Sequence, residues 1–372
     1  MRQTRQTGER RKALALLEVE NLTVSFPTAD GVVRAVRGVS FNVDTGQTLG
    51  IVGESGSGKT VLTQTLLGLT PGGEVTGKAM FDGTDLLQLS PNQLRQVRGS
   101  KISVIFQDPL TSLHPLYRVG WQISEMIRAH EKGVSKKQGQ ERAIEMLGRV
   151  GIPHPAQRVN DYPHQFSGGM RQRAMIAMAL SLSPKLIIAD EPTTALDATV
   201  QAQILDLLLH LQQESGTALL MITHDLGVVA DIADSVLVMY AGRAAEKGSK
   251  RDIFYQAHHP YTKGLLESIP NSSAAADRLR PIPGQPPSLI NLPSGCKFHP
   301  RCAYVMDQCL IEEPELRQIR DFSHLSACYL PAAAAGVGGA AEQIREETVR
   351  EGRMGAAVGV AEAIAASPEV QS

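Results

Sequence analysis

The stretch Gly53-Glu54-Ser55-Gly56-Ser57-Gly58-Lys59-Thr60 has residue types and spacing suited to holding phosphate. It fits G-x-x-x-x-G-K-[ST], follows an apolar run and opens a helical pattern, as a phosphate-cradling loop requires. Gly53, Gly56 and Gly58 allow backbone N–H groups to turn inward, and the start of the following helix adds its positive end. Lys59 contributes a full charge, and Thr60 offers a hydroxyl to Mg²⁺. A second acidic piece, Leu186-Ile187-Ile188-Ala189-Asp190-Glu191, ends an apolar run on two carboxylates. Asp190 suits a Mg²⁺ ligand. Glu191, directly after it, suits the group that takes a proton from attacking water. His224 ends another apolar run and reads as a donor to a terminal phosphate.

The elements that position these groups follow from the same runs. Residues 48–53, 186–190, 218–223 and 235–240 are short and apolar throughout. Such runs read as strands of a parallel sheet covered on both faces. Each of the first three delivers chemistry-bearing residues just past its end, and the crevice beyond strand carboxyl ends is where open parallel sheets bind ligands. Residues 197–213 read as a helix with Asp197 as N-cap and a stop near Gly216. The segments "LEVENLTVSF" and "VRGVSFNV" alternate apolar and polar residues, the pattern of half-buried antiparallel strands. The turn Ser167-Gly168-Gly169-Met170 is a second glycine-rich helix start, hence a second anion site. Two such sites for one terminal phosphate imply two chains arranged head to tail, each nucleotide lying between them.

Composition bounds the rest. Apolar residues make up 42% of 372, ample for a packed core, and the net charge of −1 points to no polyanionic partner such as nucleic acid. No run of about 18 apolar residues occurs, so membrane work would use the helices of other chains. The basic start "MRQTRQTGERRK" precedes an apolar run too short for a signal-peptide core and reads as a frayed tail in the cytoplasm.

Taken in order, "GESGSGKT", "FSGGMRQR" (166–173), "LIIADEPTTALD" (186–197) and "ITHD" (222–225) resemble the ATP-binding cassette of ABC transporters over residues 16–255. The resemblance implies an α/β fold: a P-loop NTPase cassette with a RecA-like core, an antiparallel β portion and a helical subdomain at about 108–172. It implies ATP and Mg²⁺ as ligands and Phe26 as the aromatic that stacks on adenine. It implies Gln107 as the link to a membrane subunit and a Mg²⁺ ligand, and Asp197 as the start of a signal across a dimer. The signature turn departs from Leu-Ser-Gly-Gly-Gln at Phe166 and Met170.

Beyond the cassette, "HHPYTKGLLESIP" (258–270) and "PIPGQPPSLINLPSGCKFHPRC" resemble the C-terminal extension of ATPases that serve oligopeptide and dipeptide importers. That family includes nickel and glutathione importers, so those cargoes stand as alternatives, with a soluble ABC ATPase outside transport as a further one. The resemblance implies two permease subunits, an extracytoplasmic binding protein and a second ATPase, a paralogue rather than a copy. It places the chain peripherally on the cytoplasmic face of the membrane. The expected divisions are a tail (1–15), the cassette (16–255), a cysteine-bearing extension (256–330) and a disordered tail (331–372).

All four cysteines, Cys296, Cys302, Cys309 and Cys328, lie in that extension, with gaps of five, six and eighteen residues. The gaps are wide for zinc pairs. A reducing cytosol disfavours stable disulfides. A [4Fe–4S] cluster, which takes four thiolates, is the expectation, and the resemblance extends to each position. Zinc and a metal-free segment are the alternatives. His258, His259 and His299 read as surface or loop residues.

Overall fold

The computed structural model describes residues 15–194, 196–269, 281–319 and 323–331. The expected N-terminal tail before Ala15, the start of the proline-rich connector and the expected tail after Pro331 lie outside the described residues. The chain divides into two units, Met1–Ala244 with Pro286–Leu292, and Ala245–Gln285 with Pro293–Ser372.

In the first unit the strands are β1 (Leu17–Thr28), β2 (Gly31–Val43), β3 (Thr48–Val52), β4 (Glu74–Phe81), β5 (Thr84–Asp85), β6 (Ile102–Ile105), β7 (Leu186–Asp190), β8 (Ala218–Thr223) and β9 (Ser235–Tyr240). The helices are α1 (Lys59–Leu66), α2 (Pro91–Val97), α3 (Pro109–Ser112), α4 (Val119–His130), α5 (Lys136–Arg149), α6 (Pro155–Arg158), α7 (Gly168–Leu180), α8 (Ala198–Ser215) and α9 (Leu226–Ile232). An antiparallel sheet runs β2-β1-β4-β5, and a parallel sheet runs β9-β3-β8-β7-β6.

Strands β3, β7 and β8 are buried at every residue, which explains their unbroken apolar character. Side chains of β7 and β8 alternate between two cores, and β3 gives Leu49 and Ile51 to the first of them. Ile51, Ile188 and Leu220 pack with Val24 and Phe41 of the antiparallel sheet. Ile187, Leu219 and Met221 pack with Ala177 of α7 and Ile204 of α8. A one-residue slip of β7 or β8 would exchange its contributions to both cores, so their register is tightly specified.

The helical portion hangs on the second of these cores. Helix α4 turns Val119, Ile123 and Ile127 inward, one turn apart, and α5 contributes Ala143, Met146 and Leu147. Ser135 and Gln138 form a reciprocal capping box at the start of α5. Asp197 caps α8 by accepting from Val200 N at 2.9 Å, and Gly216 ends that helix in the left-handed conformation.

The second unit contains α10 (Lys250–Gln256), α11 (Pro260–Glu267), α12 (Asp307–Ile311) and a short antiparallel sheet. In that sheet β11 (Arg317–Gln318) pairs with β12 (Leu325–Ser326), which pairs with β10 (Arg243–Ser249). Glu246 is fully buried and accepts from the backbone N–H groups of His258 and His259, at 2.7 and 3.0 Å, while His324 Nε2 lies 2.7 Å from it. His258 and His259 are therefore interior residues, 1% and 4% exposed. Of their reading as surface or loop residues, the loop part stands, since both lie between α10 and α11, and the surface part is corrected. The physical reason is the carboxylate: once buried, it must collect donors, and the His258-His259 backbone supplies two.

The structure also corrects the expected [4Fe–4S] cluster. Among the described residues no group of three or more His, Cys, Asp or Glu side chains is placed to hold a metal ion. All four cysteines are free, Cys309 and Cys328 being buried. With Phe298 and His259 among their neighbours they line a cavity of about 10 Å³, the room of roughly one water and too small for a four-iron cube. Burial pushes the thiols of Cys296 and Cys302 up, and that of Cys328 up to about 11.

Candidate nucleotide site

Strand register brings the chemistry together. Val52 lies level with Thr223, Asp190 with Ile222, and Ile105 with Ala189. The residues that follow these ends, Gly53, Glu191, His224 and Gln107, therefore emerge at one edge of the parallel sheet. Glu191, His224 and Gln107 meet the loop residues Glu54 to Thr60, which follow Gly53, around a cavity of about 1010 Å³ that is also lined by Phe26, Val33, Ala35, Thr194, Pro286 and Leu289.

The loop before α1 is held by close backbone approach. Gly53, Gly56 and Gly58 all have positive φ. At Gly58 an added Cβ would sit 2.2 Å from Ala35 O, and at Gly53 2.2 Å from Met239 O. Gly56 has open space, so there only the backbone angle demands glycine. Lys59 is 6% exposed, and its Nζ donates to Gly53 O at 2.6 Å and Glu54 O at 3.0 Å, drawing the loop round its own ammonium. Burial lowers the Lys59 pKa, while Glu191, Asp190 and Glu54 act to raise it. Ser57 Oγ is buried without a partner. An orphaned hydroxyl in a phosphate-shaped loop is what an absent anionic ligand would leave.

Thr60 Oγ1 donates to Asp190 Oδ1 at 3.3 Å. Burial pushes the Asp190 carboxyl up, and Glu191 beside it adds to this, against the Thr60 hydrogen bond and Lys59. A buried carboxylate beside a hydroxyl, both hard oxygen donors next to a phosphate loop, fits Mg²⁺.

Glu191 has φ 46, a left-handed angle rare outside glycine and concentrated at functional sites. It is held by its N–H donating to Ile222 O at 2.8 Å. Its Oε2 accepts from Gln107 Nε2 at 3.0 Å and from Thr194 Oγ1 at 2.9 Å, and His224 Nδ1 stands 3.1 Å from Oε1. Burial pushes this carboxyl up. The hydrogen bonds from His224 and Thr194, with the charges of His224 and Lys59, outweigh burial and hold it below the usual carboxylate range.

Ser167, Gly168, Gly169 and Met170 form the start of α7, where Ser167 Oγ accepts from Met170 N at 3.3 Å. They are not among the residues lining the cavity. Asp197 is exposed at the head of α8. The two helix starts touch: a Cβ on Gly169 would stand 2.9 Å from Val200 Cγ1. Sequence reasoning did not assign Thr194, although it lies in the quoted acidic stretch three residues past Glu191. It also did not assign Pro286 and Leu289, which carry no local signal.

A glycine loop closing a parallel strand, with a lysine at its head and an acidic pair on a nearby strand of the same sheet, defines the P-loop nucleotide-hydrolysing class. A model of the ABC transporter family matches residues 36–194, and one for the oligopeptide/dipeptide transporter C-terminal region matches residues 245–309. The oligopeptide transport ATP-binding protein OppD of Bacillus subtilis is 51% identical over 319 residues, covering 85% of this chain and 89% of that protein. OppD of Salmonella typhimurium is 52% identical over 322 residues, 86% and 95% of the two chains. The dipeptide transport ATP-binding protein DppD of Escherichia coli is 48% identical over 325 residues, 87% and 99%. Among solved structures, a dimeric post-hydrolysis state of the ATP-binding cassette MJ0796 bound to ADP and Pi matches with a TM-score of 0.57 at 28% identity, covering 63% of this chain and 99% of that one. The chain belongs to the ABC transporter family, as an ATP-binding, ATP-hydrolysing subunit coupled to transport. Among the described residues no helix is long and apolar enough to cross a membrane.

Proposed function

We propose that this chain powers the import of di- and oligopeptides by binding ATP between two cassettes and hydrolysing it. The observation that carries the ATPase half is the meeting of Glu54–Thr60, Glu191, His224 and Gln107 around one cavity, with Asp190 held to its rim by the Thr60 hydroxyl. The peptide half rests on the match of residues 245–309 to the oligopeptide/dipeptide C-terminal region and on the names of the half-identical relatives. In this reading the cassette occupies 16–255, with its helical subdomain at about 108–172, and the extension 256–330.

The loop Gly53, Glu54, Ser55, Gly56, Ser57, Gly58 wraps the phosphates, and Lys59 exchanges its carbonyl partners for phosphate oxygens. Thr60, Asp190 and Gln107 would hold Mg²⁺, which supplies positive charge against the phosphate oxygens when bound. Glu191 takes the proton of the attacking water. For that it must free an oxygen. His224 is the natural group to leave, because its side chain is 62% exposed and a terminal phosphate offers it an acceptor. Phe26, half-buried at the cavity, stacks on the base.

The turn Ser167–Met170, placed off the chain's own cavity, supports a head-to-tail pair in which it contacts the partner's nucleotide. Asp197 then signals between the sites. Permease contact is assigned to the helical portion, where Leu116, Tyr117 and Trp121 are exposed and the last two rings stack at 4.4 Å. The chain works peripherally on the cytoplasmic face, with two permeases, a binding protein and a second ATPase. Uptake of a labelled tripeptide into vesicles holding the assembled transporter tests the proposal: it should require ATP and vanish with Lys59→Ala. ATP hydrolysis without stimulation by any peptide-loaded binding protein would refute the cargo.

A further inference from the structure

We infer that Pro286–Leu292, a segment from the far end of the chain, forms part of the wall that grips the base of a bound purine nucleotide. The inference rests on the reading above that the nucleotide occupies the cavity of the phosphate loop. Pro286 and Leu289 line that cavity together with Phe26, Val33 and Ala35. Phe26 and Val33 are paired neighbours on β1 and β2, so the segment lies at the base end of the cavity, where the aromatic sits.

Its position is anchored. β2 is the edge strand of its sheet, and an edge strand offers unpaired backbone groups. Arg34 N donates to Leu289 O at 3.1 Å, flanked in sequence by the cavity residues Val33 and Ala35. Ile290 packs over the β1–β2 turn, its Cγ2 3.0 Å from where a Cβ on Gly31 would stand. Ser288 Oγ accepts from Ile290 N at 3.3 Å, which fixes the local bend. The two prolines Pro286 and Pro287 limit the freedom of the segment before any ligand arrives, so little ordering cost remains for binding.

The chemistry indicates what is gripped. Proline and leucine side chains have no hydrogen-bonding group, so they grip the flat apolar face of a base and do not read its edge. Leu289 is half-buried, so a ring laid against it completes its burial. Affinity should depend on a base being present and little on whether it is adenine or guanine. A ligand with phosphates and no base should not sense the segment at all.

Isothermal titration of the full-length protein with Mg·ATP, Mg·GTP and Mg·tripolyphosphate tests this. Leu289→Ala should raise Kd for ATP and GTP by about tenfold and leave tripolyphosphate within about twofold, and Leu289→Met should restore nucleotide binding. ATP should also slow hydrogen exchange at the amides of Ser288–Leu292. Unchanged ATP affinity in Leu289→Ala, alongside lost affinity in Lys59→Ala, would remove the segment from the site. Equal weakening of all three ligands would assign Leu289 to folding and overturn the inference. Unchanged ATP binding in Lys59→Ala would remove the nucleotide from this cavity altogether, and the inference with it.

Discussion

His224 Nδ1 and Glu191 Oε1 stand 3.1 Å apart, while the other Glu191 oxygen is taken by Gln107 and Thr194. Three side chains thus engage the carboxylate, and in the proposed hydrolysis its freedom to accept a proton from water depends on which neighbour lets go. On that proposal, proton transfer is tied to events at the ends of two other strands.

Replacing the carboxylate should separate binding from turnover. Glu191→Gln keeps the size and loses the proton acceptor, so ATP affinity should stay near wild type while kcat falls by about 10²–10⁴. Gel filtration in Mg·ATP should show a dimer that accumulates. Turnover within threefold of wild type would take Glu191 out of this role.

His224→Ala removes the strongest of the groups that lower the Glu191 pKa. The Glu191 carboxyl should rise, so the acid limb of the ATPase pH profile should move to higher pH, with kcat reduced by about ten- to a hundredfold. A fall in kcat with an unmoved acid limb would mean that His224 acts on the phosphate alone.

The loop glycines should not be equivalent. Gly56→Ala meets open space and a φ of 78, a cost of about 1–2 kcal/mol from the backbone angle. Gly58→Ala adds a 2.2 Å collision with Ala35 O, so a further ~1–3 kcal/mol of overpacking is expected. Urea unfolding midpoints should rank wild type, Gly56→Ala, Gly58→Ala. Equal midpoints for the two variants would contradict the close approach.

Acid should loosen the second unit through His259. Burial lowers its pKa to about 4, against 6.5 for the ordinary group. The unfolded chain therefore binds a proton below pH ~6.5 that the folded chain refuses until about 4. Stability is fully present above pH ~6.5 and declines as pH falls, by about 2 kcal/mol at pH 5. The geometry agrees, since His259 Nδ1 accepts from Tyr261 N at 3.0 Å and caps α11 as the neutral ring. His259→Asn keeps a good cap without the titration, and should flatten thermal stability between pH 7.5 and 5. An unchanged slope would place the acid sensitivity elsewhere.

Legibility in the sequence followed locality. The strands at 48–52, 186–190, 218–223 and 235–240 were readable because burial on both faces leaves an apolar run. Strand β6 was not recognised, since four residues carry too little pattern. The phosphate loop and acidic pair were legible because their geometry is set within a few residues of chain. Gln107 and Phe26 came only through family resemblance; by residue type they are an ordinary amide and an ordinary core ring, and only the fold brings them to the cavity. Leu289 was invisible because its partner, Arg34, is a distant backbone N–H. The burial of the loop residues His258 and His259 was not legible because the buried carboxylate that holds their backbone lies earlier, at Glu246. The cysteines misled in the opposite direction: closeness in sequence suggested a shared ion, whereas the fold packs them around a void the size of a water.

The close seat of Gly169 against Val200 bears on how a stimulus would travel. With no side chain on Gly169 itself, the head of α7 seats directly on the Val200 methyls of α8, and the two mesh like adjoining cogs. In the proposed head-to-tail pair, a push on the head of α8 at Asp197 would reach the serine-glycine corner through this Val200 contact, a relay between neighbouring ATP sites that is mechanical in kind.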